Sequence, residues 1–182
     1  LLVGDALQTR AFEILINTQC DAQVRLAMMS VLAAASGSRG MAGGQAIDLE
    51  NVGKSLDLAG LKQMHAMKTG ALLSCSVAMG GIAAQLSAVQ MQCLKEYSEA
   101  LGLAFQIVDD ILDVTADSQT LGKTAGKDAA NDKPTYVSLM GLDYAKKAAK
   151  DLQENAIASL EDFGPKAQAL KDLALLVVNR GK

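Results

Sequence analysis

Tryptophan is absent from this chain of 182 residues, and aromatic residues of all kinds make up only 3% of it. Alanine, leucine and methionine take their place, a composition that suits closely packed helices far better than sheets. Proline is almost missing as well. Pro134 and Pro165 are the two present, and both fall where a helix is expected to start or end. The three cysteines, Cys20, Cys75 and Cys93, are odd in number and lack metal-type spacing, which points to reduced thiols and a cytoplasmic protein. The one histidine, His65, has no second ligand at metal spacing and reads as a packing residue. No acyl-transfer triad can be assembled. A net charge of −3 gives no reason to expect nucleic-acid binding. No apolar run is long and clean enough to span a membrane. The chain opens on Leu1-Leu-Val-Gly-Asp-Ala with neither an initiator Met nor a signal-peptide layout, as though inside a helix. It is therefore expected to be the C-terminal part of a longer protein, forming a single domain over 1–182.

Half of the residues are hydrophobic, and one stretch arranges them unusually. In Phe105-Gln-Ile-Val-Asp-Asp-Ile-Leu-Asp-Val114 the polar residues Gln106, Asp109, Asp110 and Asp113 recur at i, i+3, i+4 and i+7. A helix places them on one narrow stripe, with Ile107, Val108, Ile111 and Leu112 around it. Most surface helices show the reverse, an apolar stripe on a polar cylinder. The pattern predicts a helix buried among others whose polar stripe lines a cavity. Three carboxylates near a helix C-terminus repel one another and oppose the macrodipole. A hard divalent cation offsets both, and the many oxygen ligands favour Mg²⁺ shared with substrate phosphates. An acidic patch on a solvated face is the plainer alternative, and the apolar flanks oppose it.

Apolar spacing predicts a first helix over residues 1 to about 16, then a break at Asn17 to Cys20 with Asp21 as N-cap. The next helix, from Ala22, turns rich in small residues through Ala33–Ala35, Gly37, Gly40, Gly43 and Gly44. So many glycines imply close backbone approach to another helix or a ligand. Gln45 and Asp48, at i and i+3, can both point inward. Asp57 is expected to cap a helix reaching about Gly80, in which Lys68 sits among Met64, Ala71 and Leu72. A cation on such a face needs an anionic partner, unless its stem lies on apolar surface and its amine reaches water. Ser87-Ala-Val-Gln90 has the form of a capping box for a central helix over about 88–115. A loop with Lys123, Lys127 and Lys133 follows. Two amphipathic cover helices, Thr135 to about Leu160 and Pro165 to about Asn179, complete an all-α bundle of roughly six helices.

The extended pattern Phe105-Gln-x-x-Asp109-Asp-x-x-Asp113, then Gly122-Lys123, Gly126-x-Asp128 and Lys133-x-Thr-Tyr136, resembles the second aspartate-rich region of trans-polyprenyl diphosphate synthases. These are enzymes of the farnesyl and geranylgeranyl diphosphate synthase type. Gly43-Gly-Gln-Ala-Ile-Asp-Leu49 and Lys68-Thr69-Gly70 are similar to two further segments of that family. One departure stands out: the family often reads Lys-x-Thr-Tyr-Pro where this chain has Lys133-Pro-Thr-Tyr-Val137. The resemblance implies the isoprenoid synthase fold, with the first aspartate-rich motif upstream of this chain. It also implies a short-chain prenyltransferase that condenses an allylic diphosphate with isopentenyl diphosphate, with Mg²⁺ as cofactor, as a homodimer. Its site residues would be Asp109, Asp110 and Asp113 for the metal, and Lys68, Thr69, Gln106, Lys123 and Lys133 for the allylic diphosphate. Lys68, Asp109 and Lys123 would serve catalysis. Two alternatives are a class I terpene cyclase or head-to-head synthase, and a non-catalytic subunit of a heteromeric prenyltransferase. The missing N/D-D-x-x-S/T-x-x-x-E pattern opposes the first, and the intact acidic motif opposes the second. A di-iron bundle is excluded for want of Glu-x-x-His pairs.

Overall fold

The computed structural model describes residues 1–54, 56–115 and 134–180. Every regular element among them is helical. In chain order these are α1 (Leu2–Asn17), α2 (Ala22–Ser36), α3 (Met41–Glu50), α4 (Leu58–His65), a π-helical turn (Ala66–Gly70), α5 (Ala71–Ala83) and α6 (Ala88–Thr115). After residues 116–133 come α7 (Tyr136–Met140), α8 (Leu142–Ala158), a 3₁₀ segment (Glu161–Ala167) and α9 (Gln168–Asn179). The sequence therefore sets the fold class correctly, but undercounts the helices.

Glycine accounts for most of the extra breaks. The small-residue helix predicted from Ala22 onward stops at Ser36. Gly37 then turns extended, at φ −79° and ψ −164°, and the chain restarts as α3. The long helix predicted from Thr135 is broken by Gly141, whose φ of +82° lies where side chains with a Cβ are strained. Asp21 occupies the N-cap position of α2 without a side-chain capping bond. Asp57 does cap α4, accepting the Gly60 N–H at 2.7 Å. Ser87 and Gln90 form the expected reciprocal box, with bonds of 3.0 and 3.3 Å.

Helix α6 is the axis of the molecule. It packs along α8, α5 and α9, and the core lies along its length in two parts. Near its start Leu94, Tyr97 and Leu101 meet Ala156, Leu160, Ala167 and Ala174. Near its end Ile107 and Val108 meet Leu61, Met64, Tyr136, Ala145 and Ala149. Each large side chain so buried contributes roughly 1.5–3 kcal/mol. Tyr97 is fully enclosed, and its hydroxyl donates to the Leu170 carbonyl at 2.8 Å, tying α6 to α9.

The sequence shows no clean membrane-spanning run, yet α4, the π-turn and α5 join into one rod, Leu58–Ala83. By length and composition alone it could cross a bilayer. Lys68 lies at its middle, and the rod is a wall of the bundle packed against α2, α3 and α6. Helix α1 has no buried residue and touches only α2 strongly, leaving Leu2, Leu7 and Ile14 exposed. Asp5 on it is exposed too. The three cysteines are free thiols, as expected.

Candidate active site

Three helices and the π-turn bring the chemistry together. A cavity of about 220 Å³ is lined by Asp48 and Asn51 of the α3 end, Met64 and His65 of α4, and Lys68 of the π-turn. Gln106, Asp109 and Asp110 of α6 close it with Pro134 and Thr135. The acidic stripe of α6 and the lysine predicted from two distant segments thus face one space.

The π-turn is what carries Lys68 there. A regular α-helix was expected across this region; the π-turn instead widens the backbone for one turn, a feature often found at functional sites. Helix α3 packs directly on it, and the contact needs glycine. A Cβ at Gly44 would stand 2.6 Å from the Lys68 Cα and collide with its backbone nitrogen. Across this contact the Lys68 ammonium donates to the Asp48 carboxylate at 2.6 Å. The anion that Lys68 was expected to need is therefore a side chain 20 residues upstream. The pair is part-buried, with Asp48 12% and Lys68 33% exposed, so it is stronger than a surface ion pair.

The stripe itself divides. Asp109 faces the cavity with its side chain 41% exposed. Asp110 also borders the cavity but is buried, and accepts the backbone N–H of Tyr136 at 2.6 Å. Tyr136 opens α7, whose N-cap Thr135 forms a capping box with Ser138. Asp110 thereby pins the start of α7 to α6. Asp113 is 3% exposed and does not border this cavity. Gln106 does, whereas Thr69 and Gln45 are part-buried outside it. Lys123 and Lys133 lie outside the described residues, as do Asp117 and Asp128.

Sequence reasoning missed Arg180, in a C-terminal region that showed no chemistry. Its guanidinium lies 3.9 Å from the Phe105 ring centre. It donates to the Phe105 carbonyl at 2.9 Å and comes within 3.8 Å of Asp109. Burial pulls its pKa down from the ordinary value, and the Asp109 charge works against that pull. His65, read as packing, leans on Tyr136 with ring centres 5.5 Å apart. Burial, and then the Asp110 charge, raise the Tyr136 pKa well above the usual tyrosine range.

The donor set suits a hard cation shared with a ligand. Among the described residues no cluster of three or more His, Cys, Asp or Glu side chains could hold a metal unaided. Asp109, with Asp110 beside it, can supply one or two carboxylate oxygens. Mg²⁺ is commonly bound in that way, its remaining positions filled by water and phosphate.

The polyprenyl synthetase family model matches residues 1–173. Farnesyl diphosphate synthase of Escherichia coli is 43% identical over 189 residues, and that of Micrococcus luteus 40% over 182 residues; each alignment covers 100% of this chain. The chain spans 63% and 62% of those proteins respectively, so it matches a little under two thirds of their length. Among solved structures, geranylgeranyl pyrophosphate synthetase of Pyrococcus horikoshii superposes with a TM-score of 0.88 at 28% identity. That match covers 98% of this chain and 66% of that one. The Helicobacter pylori geranyltransferase, complexed with magnesium and isoprenyl diphosphate, gives 0.82 at 34% identity, covering 98% and 58%. With its all-helical fold in agreement with these matches, the chain belongs to the polyprenyl synthetase family.

Proposed function

We propose that the protein containing this chain is a short-chain trans-prenyltransferase. It would ionise an allylic diphosphate and join the resulting carbocation to isopentenyl diphosphate. The observation that carries this reading is one cavity holding both Lys68 and Asp109, a cation and a carboxylate from separate walls. A departing diphosphate needs its growing charge neutralised. Lys68 would take phosphate oxygens directly, and Gln106 could donate to them from its amide. Asp109, with Asp110, would hold Mg²⁺, which when bound supplies Lewis-acid neutralisation of the leaving group. Lys123 and Lys133 complete the proposed phosphate contacts, whereas Asp113, buried away from the cavity, is not assigned to the metal. Apolar residues around the stripe, such as Met64 and Leu56, would keep water from the carbocation. A pair of identical subunits belongs to the same reading, and light scattering of the complete protein tests it.

The decisive experiment supplies the complete gene product with geranyl diphosphate and Mg²⁺, with and without isopentenyl diphosphate. Elongated diphosphates formed only when both substrates are present are the expected result. Cyclic or head-to-head products from the allylic substrate alone would overturn the reading in favour of a cyclase.

A further inference from the structure

We infer that Asp48 is a positioning residue for Lys68, working with the close contact at Gly44; the inference rests on the diphosphate reading of the cavity. Lys68 has a four-carbon stem and an amine with three donors. Left free, it would sample many rotamers over the open side of the cavity. Asp48 takes one of those donors at 2.6 Å from the neighbouring helix. Both residues border the cavity, so the remaining two donors stay on the side where phosphate oxygens would sit. Gly44 sets the other coordinate. Its missing side chain lets α3 approach the π-turn until Lys68 comes within reach of Asp48, one helical turn further along α3. Spacing and direction of the cation are thus both fixed by α3, through residues that need not touch the ligand.

A carboxylate beside an anion site has a second possible consequence, since Asp48 could simply compete with phosphate for Lys68. The two roles differ in sign. As a competitor, Asp48 would weaken anion binding, and its removal would tighten it. As a positioning residue, it strengthens binding by having already restricted the lysine, at about 0.5–1.5 kcal/mol of ordering per long side chain, or about two- to tenfold in affinity. Magnesium accompanying the phosphates cancels most of their charge, so repulsion by Asp48 is the smaller effect.

Titration calorimetry of the complete protein with inorganic pyrophosphate, at fixed Mg²⁺, decides between them. Lys68→Ala tests the diphosphate reading by itself. If it binds pyrophosphate as the parent does, that reading falls, and the role of Asp48 with it. With the Lys68→Ala loss in hand, Asp48→Ala is expected to bind about fivefold more weakly, and Asp48→Ala combined with Lys68→Ala no more weakly than Lys68→Ala alone. Asp48→Asn keeps shape and one acceptor oxygen, and should recover most of the affinity; it also serves if the alanine variant does not fold. Gly44→Ala displaces the turn without changing any charge, so weaker binding there separates geometry from electrostatics. Unchanged or tighter binding in Asp48→Ala, or tighter binding in Asp48→Asn, overturns the inference while leaving the diphosphate reading intact.

Discussion

The Asp110 carboxylate holds the backbone N–H of Tyr136 at 2.6 Å, across 26 residues of chain, while its neighbour Asp109 faces the cavity. Asp110 therefore carries a structural task in addition to its proposed share in holding Mg²⁺, whereas Asp109 chiefly faces the ligand. Asp110→Ala would leave the first N–H of α7 without its buried acceptor and unpin that helix from α6. A loss of about 2–3 kcal/mol in urea unfolding is expected. Asp109→Ala should cost less than ~1 kcal/mol, its contact with Arg180 being long and part-exposed. In thermal melts, Asp109→Ala should instead lose most of the stabilisation that Mg²⁺ with a bisphosphonate gives the parent. Equal stability losses in both variants would refute this division.

Arg180 gives a second prediction. It combines a stacked face over Phe105, a bond to that residue's carbonyl and a long contact with Asp109. Its removal is expected to destabilise the protein by about 1–2 kcal/mol. Arg180→Lys should restore less than half, because an ammonium cannot lie flat on the ring and bond sideways at once. Full restoration by lysine would show that charge alone matters there.

How much of this was legible beforehand depends on the range of the interaction. The acidic stripe, the Ser87 box and the bounds of α6 follow from spacing within one helix, and all were readable. Asp48 was seen as inward-pointing and Lys68 as needing an anion. Their pairing was not readable, because it depends on the packing of α3 against a π-turn that no local pattern announces. Gly141 carried a signal that was passed over: glycine after Leu139-Met140 is a common helix stop. Arg180 carried none. A single arginine past the last amphipathic turn does not say which ring it will cover 75 residues earlier. The division between Asp109 and Asp110 was hidden for the same reason, since both sit on one stripe and only the return of α7 buries one of them.

Two glycines offer a graded test of packing. A Cβ at Gly81 would meet Met91 Sδ at 2.5 Å and Leu94 Cδ1 at 2.9 Å, both ends of flexible side chains. These can swing aside, and the gain in helix propensity offsets part of the cost, so Gly81→Ala should change stability by no more than about 1 kcal/mol. At Gly44 the obstacle is the backbone of Lys68 and Met67, which cannot rotate away. Gly44→Ala is expected to cost about 3 kcal/mol in chemical denaturation. A reversed order would mean that α3 and the π-turn are more loosely apposed than this structure has them.

The two fully buried tyrosines should respond oppositely to losing their hydroxyls. Tyr97 donates to the Leu170 carbonyl, so Tyr97→Phe removes a bond and leaves a buried acceptor, at a cost of about 1–2 kcal/mol. The Tyr136 hydroxyl has no hydrogen-bond partner among the described residues. Tyr136→Phe therefore removes a desolvated polar group and should be neutral, or stabilising by up to about 1 kcal/mol. Alkaline pH separates them from ordinary core changes. Burial pushes the Tyr97 pKa up to about 12, whereas an unfolded tyrosine ionises near 10. Between those values the unfolded chain gives up a proton that the native state keeps, so stability falls as pH rises. The slope approaches ~1.4 kcal/mol per pH unit for this one group, and below pH ~10 its contribution is flat. Unfolding measured from pH 8 to 11 should show that decline in the parent and a shallower one in Tyr97→Phe. The remaining slope in that variant is expected from Tyr136, whose pKa is raised in the same direction. An unchanged slope in Tyr97→Phe would mean that the Tyr97 hydroxyl is open to water in solution.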